Sequence, residues 1–252
     1  MSMRRKTPLQ TAFTEVHQCS VDVRLAILGK VPFFQDLSQA DRAVINPYFR
    51  EIGFAANEPV CYAGDPAENM FIVADGRVKL LHDTQAGKEV VLDLLTRGEF
   101  FGSLSILGED VYPDTAIAQT PVCILTIGKD AFMQILTRYP SVSLKVIGIM
   151  SERLRAAHER LERLSAGTVE ERIAHVLLRL GDKFGEKKSG VGLLIQAPLT
   201  RDDLAAMSGT TTETASRVMS QLQKDGLILS GRGWVAISNW QGLQSIAGEE
   251  AA

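Results

Sequence analysis

The chain has 252 residues, 45% hydrophobic and 23% charged, with a net charge of −3. This composition excludes a largely disordered chain, a collagen-like fibre and a disulfide-dense miniprotein, and the length allows one large domain or two medium ones. The charge gives no global case for nucleic acid, so any such reading must come from a motif.

Met1 to Gln10 carries Arg4, Arg5 and Lys6 with no apolar segment behind them, which does not read as a secretory signal. No run of ~18 apolar residues occurs, so no membrane span is expected and a cytoplasmic location is inferred. Residues 1–25 read as an arm or loose helix. A short amphipathic stretch follows, Val21 to Val31, then a helix start at Ser38 with Asp41 three residues on as a near capping box.

From about Phe54 to Thr126 the apolar residues come in short runs punctuated by Gly64, Gly76, Gly87, Gly98 and Gly102. Short strands with glycine turns at that spacing indicate an antiparallel barrel or jelly roll. Asp75-Gly76 and Ala86-Gly87 are expected hairpin turns. From Ser141 the period becomes helical. Ile147, Met150, Leu154, Ala157, Leu161 and Leu164 step 3, 4, 3, 4, 3 along the chain, an a/d seam with charged flanks that suits a two-helix dimer contact. The competing reading is a helix packed on its own barrel. Gly167-Thr168 breaks this helix, and Thr168 with Glu171 forms a capping box for the next, Val169 to about Lys183. Gly185 to Gly192 reads as a polar turn. Two short helices follow, Arg201–Met207 and Thr211–Lys224, then two strands, Ile228–Ser230 and Trp234–Ile237, around Gly231-Arg232-Gly233. Helix, helix-turn-helix and β-wing together make a winged helix.

Leu199 to Leu222 has helix-turn-helix form. Leu204 and Ala205 pack the first helix, Gly209 supplies the turn, and Val218 and Leu222 pack the second helix inward. Thr212, Glu213, Ser216 and Arg217 are then left at the outward N-terminal end, the end that meets base edges in the major groove. An Arg there can donate two bonds to guanine and a Glu can accept from cytosine. Thr hydroxyls and helix N-termini can hold phosphates, so Thr200, Arg201 and Thr211 complete the expected DNA contacts.

Barrel, long helix and winged helix in this order resemble the CRP/FNR superfamily of bacterial transcription regulators. The likeness covers about residues 26–240 and rests on Tyr62-Ala63-Gly64-Asp65, Met70 to Lys79, Gly98-Glu99-Phe100-Phe101-Gly102, and Leu199 to Arg217. The expected fold is therefore α+β: an arm over 1–25, a cyclic-nucleotide-binding-like sensor jelly roll over 26–140, a dimerisation helix over 141–166, and a winged helix over 167–252. The resemblance implies a non-enzymatic homodimer that works with RNA polymerase and activates or represses promoters after a sensory event in the barrel, activator being the role named for it. Glu213-Thr214-Ala215-Ser216-Arg217 is similar to the Glu-x-x-Ser-Arg pattern of the FNR branch, which implies an inverted repeat of the TTGAT-N4-ATCAA type read by Glu213, Ser216 and Arg217.

The signal is a separate question. A buried cyclic-nucleotide phosphate needs a paired Arg. The family cassette of Phe-Gly-Glu-Leu followed by Arg-Ser is here Phe101-Gly102-Ser103-Leu104 followed by Asp114-Thr115, and no Arg or Lys lies between Arg97 and Lys129. Cyclic AMP is therefore not the expected effector. An iron–sulfur cluster held by Cys19, Cys123 and other ligands, such as Cys61 or His17, is one alternative and the remnant of a lost cluster another; the resemblance places Cys123 at the barrel cysteine of cluster-bearing members and Cys19 in the N-terminal run. Four thiolates are the usual ligand set. Haem, thiol oxidation and no effector at all stay open beside it. His82 reads as a solvated hairpin residue, and His158 and His175 as structural. A cupin-like enzyme would need several His and Glu ligands in the barrel, and a purely structural oligomer would leave the helix-tip residues idle.

Overall fold

The computed structural model describes residues 21–83, 89–102 and 111–248. The chain forms two compact units, one spanning Phe13–Ala156 and the other containing Ala157–Ala252.

In the first unit, α1 (Val21–Leu28) and α2 (Gln39–Ile45) precede the strands. As the spacing predicts, Ser38 caps α2 by accepting from the Asp41 amide at 3.1 Å. Two four-stranded antiparallel sheets follow. One has the order β1 (Arg50–Phe54), β8 (Val122–Gly128), β3 (Asn69–Asp75), β6 (Phe100–Gly102). The other has β2 (Pro59–Cys61), β7 (Thr115–Ala118), β4 (Val78–Asp83), β5 (Glu89–Leu95). The Asp75-Gly76 turn forms, with Gly76 at φ 84°; a side chain there would strike the Pro121 carbonyl. The Ala86-Gly87 turn lies outside the described residues.

Side chains alternate across a strand, and β8 shows the result. Val122 and Ile124 enter the sandwich interior with Phe71, Val73, Phe101, Val78, Ala116 and Tyr112. Cys123, Leu125 and Ile127 point the other way, into a second core with Phe33, Phe34, Ile45, Met70, Ile72 and Phe132. That second core is covered by α1, α2, α3 (Lys129–Arg138) and the start of α4 (Pro140–Ala166). Helix α3 was not foreseen: it follows β8 directly, and its N-cap Gly128 has no side chain to announce it. Arg153 of α4 sits with its guanidinium 4.2 Å from the centre of the Phe100 ring and donates to the Phe100 carbonyl at 3.2 Å. Desolvation lowers its pKa, while Asp93 and Glu99 oppose that shift.

In the second unit, α5 (Val169–Phe184) opens with the expected Thr168/Glu171 capping box. Instead of one polar turn, residues 185–195 form a hairpin, β9 (Gly185–Lys188) and β10 (Gly192–Ile195), turning at 189–191. It joins the wing in the sheet order β11 (Ile228–Gly231), β12 (Trp234–Ile237), β10, β9. Helices α6 (Arg201–Ser208), α7 (Thr212–Lys224) and α8 (Trp240–Ala247) complete the unit.

Candidate nucleic-acid interface and sensor barrel

Helix α6 is fixed at both ends. Thr200 accepts from the Asp203 amide at 3.0 Å and the Asp203 carboxylate accepts from the Thr200 amide at 3.0 Å. The helix stops at Gly209, whose φ of 63° is left-handed. Helix α7 then starts at Thr211, which accepts from the Thr214 amide at 3.2 Å. Thr212 donates to Asp202 at 2.6 Å, tying the two helices together at their facing ends.

The inward stripe of α7 is Ala215, Met219 and Leu222, each fully buried. Val218, expected to point inward, is only half-buried, and Met219 holds its place. The 4-then-3 step from Ala215 through Met219 to Leu222 is the helical stripe that fits the contact with α5 and α6. On the other side Glu213 and Arg217 are exposed and Ser216 is half-exposed. Arg201 is turned onto the wing: it donates to the Ser230 hydroxyl at 2.9 Å, which donates to Gln223 at 2.8 Å. Burial lowers its pKa. At the wing tip Arg232 is exposed beside Gly233, at φ 75°.

Helix α4 shows an apolar row that is exposed and unpartnered among the described residues. Ile147, Leu154 and Leu161, seven residues apart, are 62%, 59% and 61% exposed. Leu144, missed in the sequence, extends the row at 71%; its spacing of three before Ile147 was the available signal. Ala157 is exposed, and Leu164 reaches toward Gly209, where an added Cβ would lie 2.9 Å from its Cδ2. Met150 differs, packing partly buried against the core around Val142 and Val146.

The candidate sensor cysteines do not converge. Cys61 lies in the sandwich interior and Cys123 in the core on the opposite face of the β1-β8-β3-β6 sheet. A single cluster therefore cannot take both thiols, which removes Cys61 from the set proposed with Cys123. Burial pushes the Cys61 thiol up to about 11, while Cys123 donates to Glu51 at 3.4 Å. Cys19 and His17 lie outside the described residues, as do Ser103 and Leu104. Among the described residues no group of three or more His, Cys, Asp or Glu side chains is placed to hold a metal. His82 is not merely solvated: its Nδ1 lies 3.2 Å from Asp114 Oδ1. Burial raises the Asp114 pKa and the bond to His82 opposes this.

A jelly roll, a long helix with an open apolar row and a winged helix with polar residues at its tip define a transcription regulator of the helix-turn-helix class. Comparison with known proteins agrees. The family model for the cyclic nucleotide-binding domain matches residues 51–139, and that for the Crp-like helix-turn-helix domain matches residues 171–246. The cyclic AMP receptor protein of Thermus thermophilus is 31% identical over 216 residues, covering 86% of this chain and 96% of its own. A solved CRP/FNR-family transcriptional regulator, also from Thermus thermophilus, is 26% identical with a TM-score of 0.66, over 80% of this chain and 100% of that one. FixK2 from Bradyrhizobium japonicum shares the fold, with a TM-score of 0.70 at 23% identity over 81% of this chain and 98% of that one. The chain belongs to the CRP/FNR superfamily, and its C-terminal unit is a DNA-binding domain. Among the described residues no helix is long and apolar enough to cross a membrane.

Proposed function

We propose that the protein acts in the cytoplasm as a homodimer that reads an inverted repeat of the TTGAT-N4-ATCAA type and activates transcription with RNA polymerase. The observation that carries this reading is the first two turns of α7, where Glu213, Ser216 and Arg217 share an outward face above a fully buried Ala215-Met219-Leu222 stripe. A guanidinium, a hydroxyl and a carboxylate on one helix tip supply both the donors and the acceptor that base edges require. The apolar row of α4 supports the dimer, because two recognition helices must present about 34–36 Å apart. A gel shift at fixed salt tests the half-site: retention on TTGAT repeats supports the reading, and retention on TGTGA repeats alone refutes it.

The proposed signal is redox or gas rather than cyclic AMP. The half-buried carboxylate of Asp114 stands where the resemblance puts the phosphate-pairing Arg. One observation favours the other reading, the name of the 31% identical relative. Isothermal titration with cyclic AMP decides between them: saturable heat at one site per chain overturns the redox or gas reading. The spectrum and iron content of anaerobically purified protein then separate haem and cluster from thiol chemistry.

A further inference from the structure

At one end of the sandwich an open cleft of about 690 Å³ is lined by Tyr48, Arg50, Glu68, Asn69, Thr126 and the first turn of α3. The strand register explains the assembly. Arg50 stands opposite Thr126, and Asn69 opposite Gly128. Paired residues and those two apart share a face, and Thr126 is two residues from Ile124, which fills the interior. The cleft is therefore the mouth of the sandwich, on the interior face of these strands and opposite the core that holds Leu125 and Ile127.

Three features of this mouth suit an anion. Thr126 is only 6% exposed, and its hydroxyl oxygen has no hydrogen-bond partner; buried polar atoms rarely stay unpaired. Helix α3 begins in the cleft with Gly128 as its N-cap and no side-chain cap. The Lys129 amide donates to the Glu68 carbonyl at 3.2 Å, which leaves the next amides of the first turn facing an open space that favours negative charge. Arg50 and Lys129 are exposed there, with no ion pair among the described residues. Glu68 and Asp130 stand beside them, so a bare anion also meets repulsion, whereas hydroxyl or amino groups find acceptors. Tyr48, 37% exposed, adds a flat wall.

We infer that this cleft binds a phosphate monoester that also carries hydroxyl or amino donors, a sugar phosphate in its simplest form. The phosphate lies against the α3 amides, the Thr126 hydroxyl, Arg50 and Lys129, and the donors face Glu68 and Asp130.

The test uses the full chain with ribose 5-phosphate, inorganic phosphate and ribose, read by isothermal titration and thermal unfolding. Ribose 5-phosphate is expected to bind one per chain and raise Tm, inorganic phosphate to bind more weakly, and ribose not to bind. Arg50→Ala and Lys129→Ala are each expected to weaken binding about tenfold or more, as loss of a charge-assisted bond does. Thr126→Val separates the ligand from the fold, since it removes the hydroxyl while keeping the shape. A hydroxyl that serves only the fold predicts a more stable variant with an unchanged response to the ligand. The inference predicts that the response is lost while the variant stays folded. No binding of ribose 5-phosphate, equal binding of ribose, or an undiminished response in all three variants overturns it.

Discussion

Truncating Leu154 to Ala tests whether the open row of α4 is the dimer contact. The side chain is 59% exposed in the protomer, and complete burial of a leucine is worth about 1.5–3 kcal/mol. Covering the open part therefore contributes about 1–2 kcal/mol per chain and about 2–3.5 kcal/mol per symmetric dimer. At 1.4 kcal/mol per decade, the dimer Kd should rise about 30- to 300-fold. Sedimentation equilibrium measures this directly. Glu152→Ala is the control, because two residues turn the helix about 200° and place Glu152 on the opposite side. Leu154→Glu should go further, giving monomers that no longer shift a two-half-site operator. A Kd for Leu154→Ala within about threefold of that for Glu152→Ala, or a Leu154→Glu protein that stays dimeric and binds DNA normally, refutes the assignment.

Arg217→Ala should weaken operator binding about 5- to 150-fold at fixed salt, the 1–3 kcal/mol of a bidentate base contact, and relax preference at one half-site position in a substitution scan. Equal loss across all sequences would instead mark Arg217 as a phosphate contact. Cys61, with its thiol near 11, should resist iodoacetamide at pH 8 in the folded protein and react on unfolding, as mass spectrometry of the modified peptide would show; rapid native labelling would contradict its burial. Asp114→Asn should raise Tm at neutral pH. The folded pKa of this acid is raised, so the stability it contributes is present below its unfolded pKa and is lost as pH rises through the folded value. Asn removes that loss, and the gain over wild type should fade as the acidic range protonates Asp114. A variant less stable at neutral pH would show that the His82 contact outweighs burial.

Much of this structure was readable where a side chain both announces an element and performs a local task. Ser38, Thr168 and Thr200 start helices and cap them, and the tip of α7 could be placed because Gly209 and Thr211 mark the turn before it. Elements without such punctuation escaped. Helix α3 begins at an uncapped glycine. Strand β9 is Gly-Glu-Lys-Lys and pairs only with β10, so its polar residues face water and mimic a turn. Helix α8 buries only Leu243 fully and carries Gly242 in its first turn, too little pattern to stand out. The sensor residues were hardest to judge. Sequence spacing cannot tell that Cys61, on one sheet, enters the sandwich interior while Cys123, on the other, points out into the core that the helices cover. The 3-4 spacing on α4 likewise left two partners for the apolar residues, and burial divides them, with Met150 on its own core and Ile147, Leu154 and Leu161 open.

The contact between Arg153 and Phe100 bears on how α4 is held. A forked ion pair fixes both distance and angle, because two parallel bonds must be satisfied together. An aromatic face accepts a cation over a range of positions, and the single bond to the Phe100 carbonyl restrains one nitrogen. The attachment thus works as a bearing rather than a bolt: the helix stays seated on strand β6 while its tilt is left to other forces.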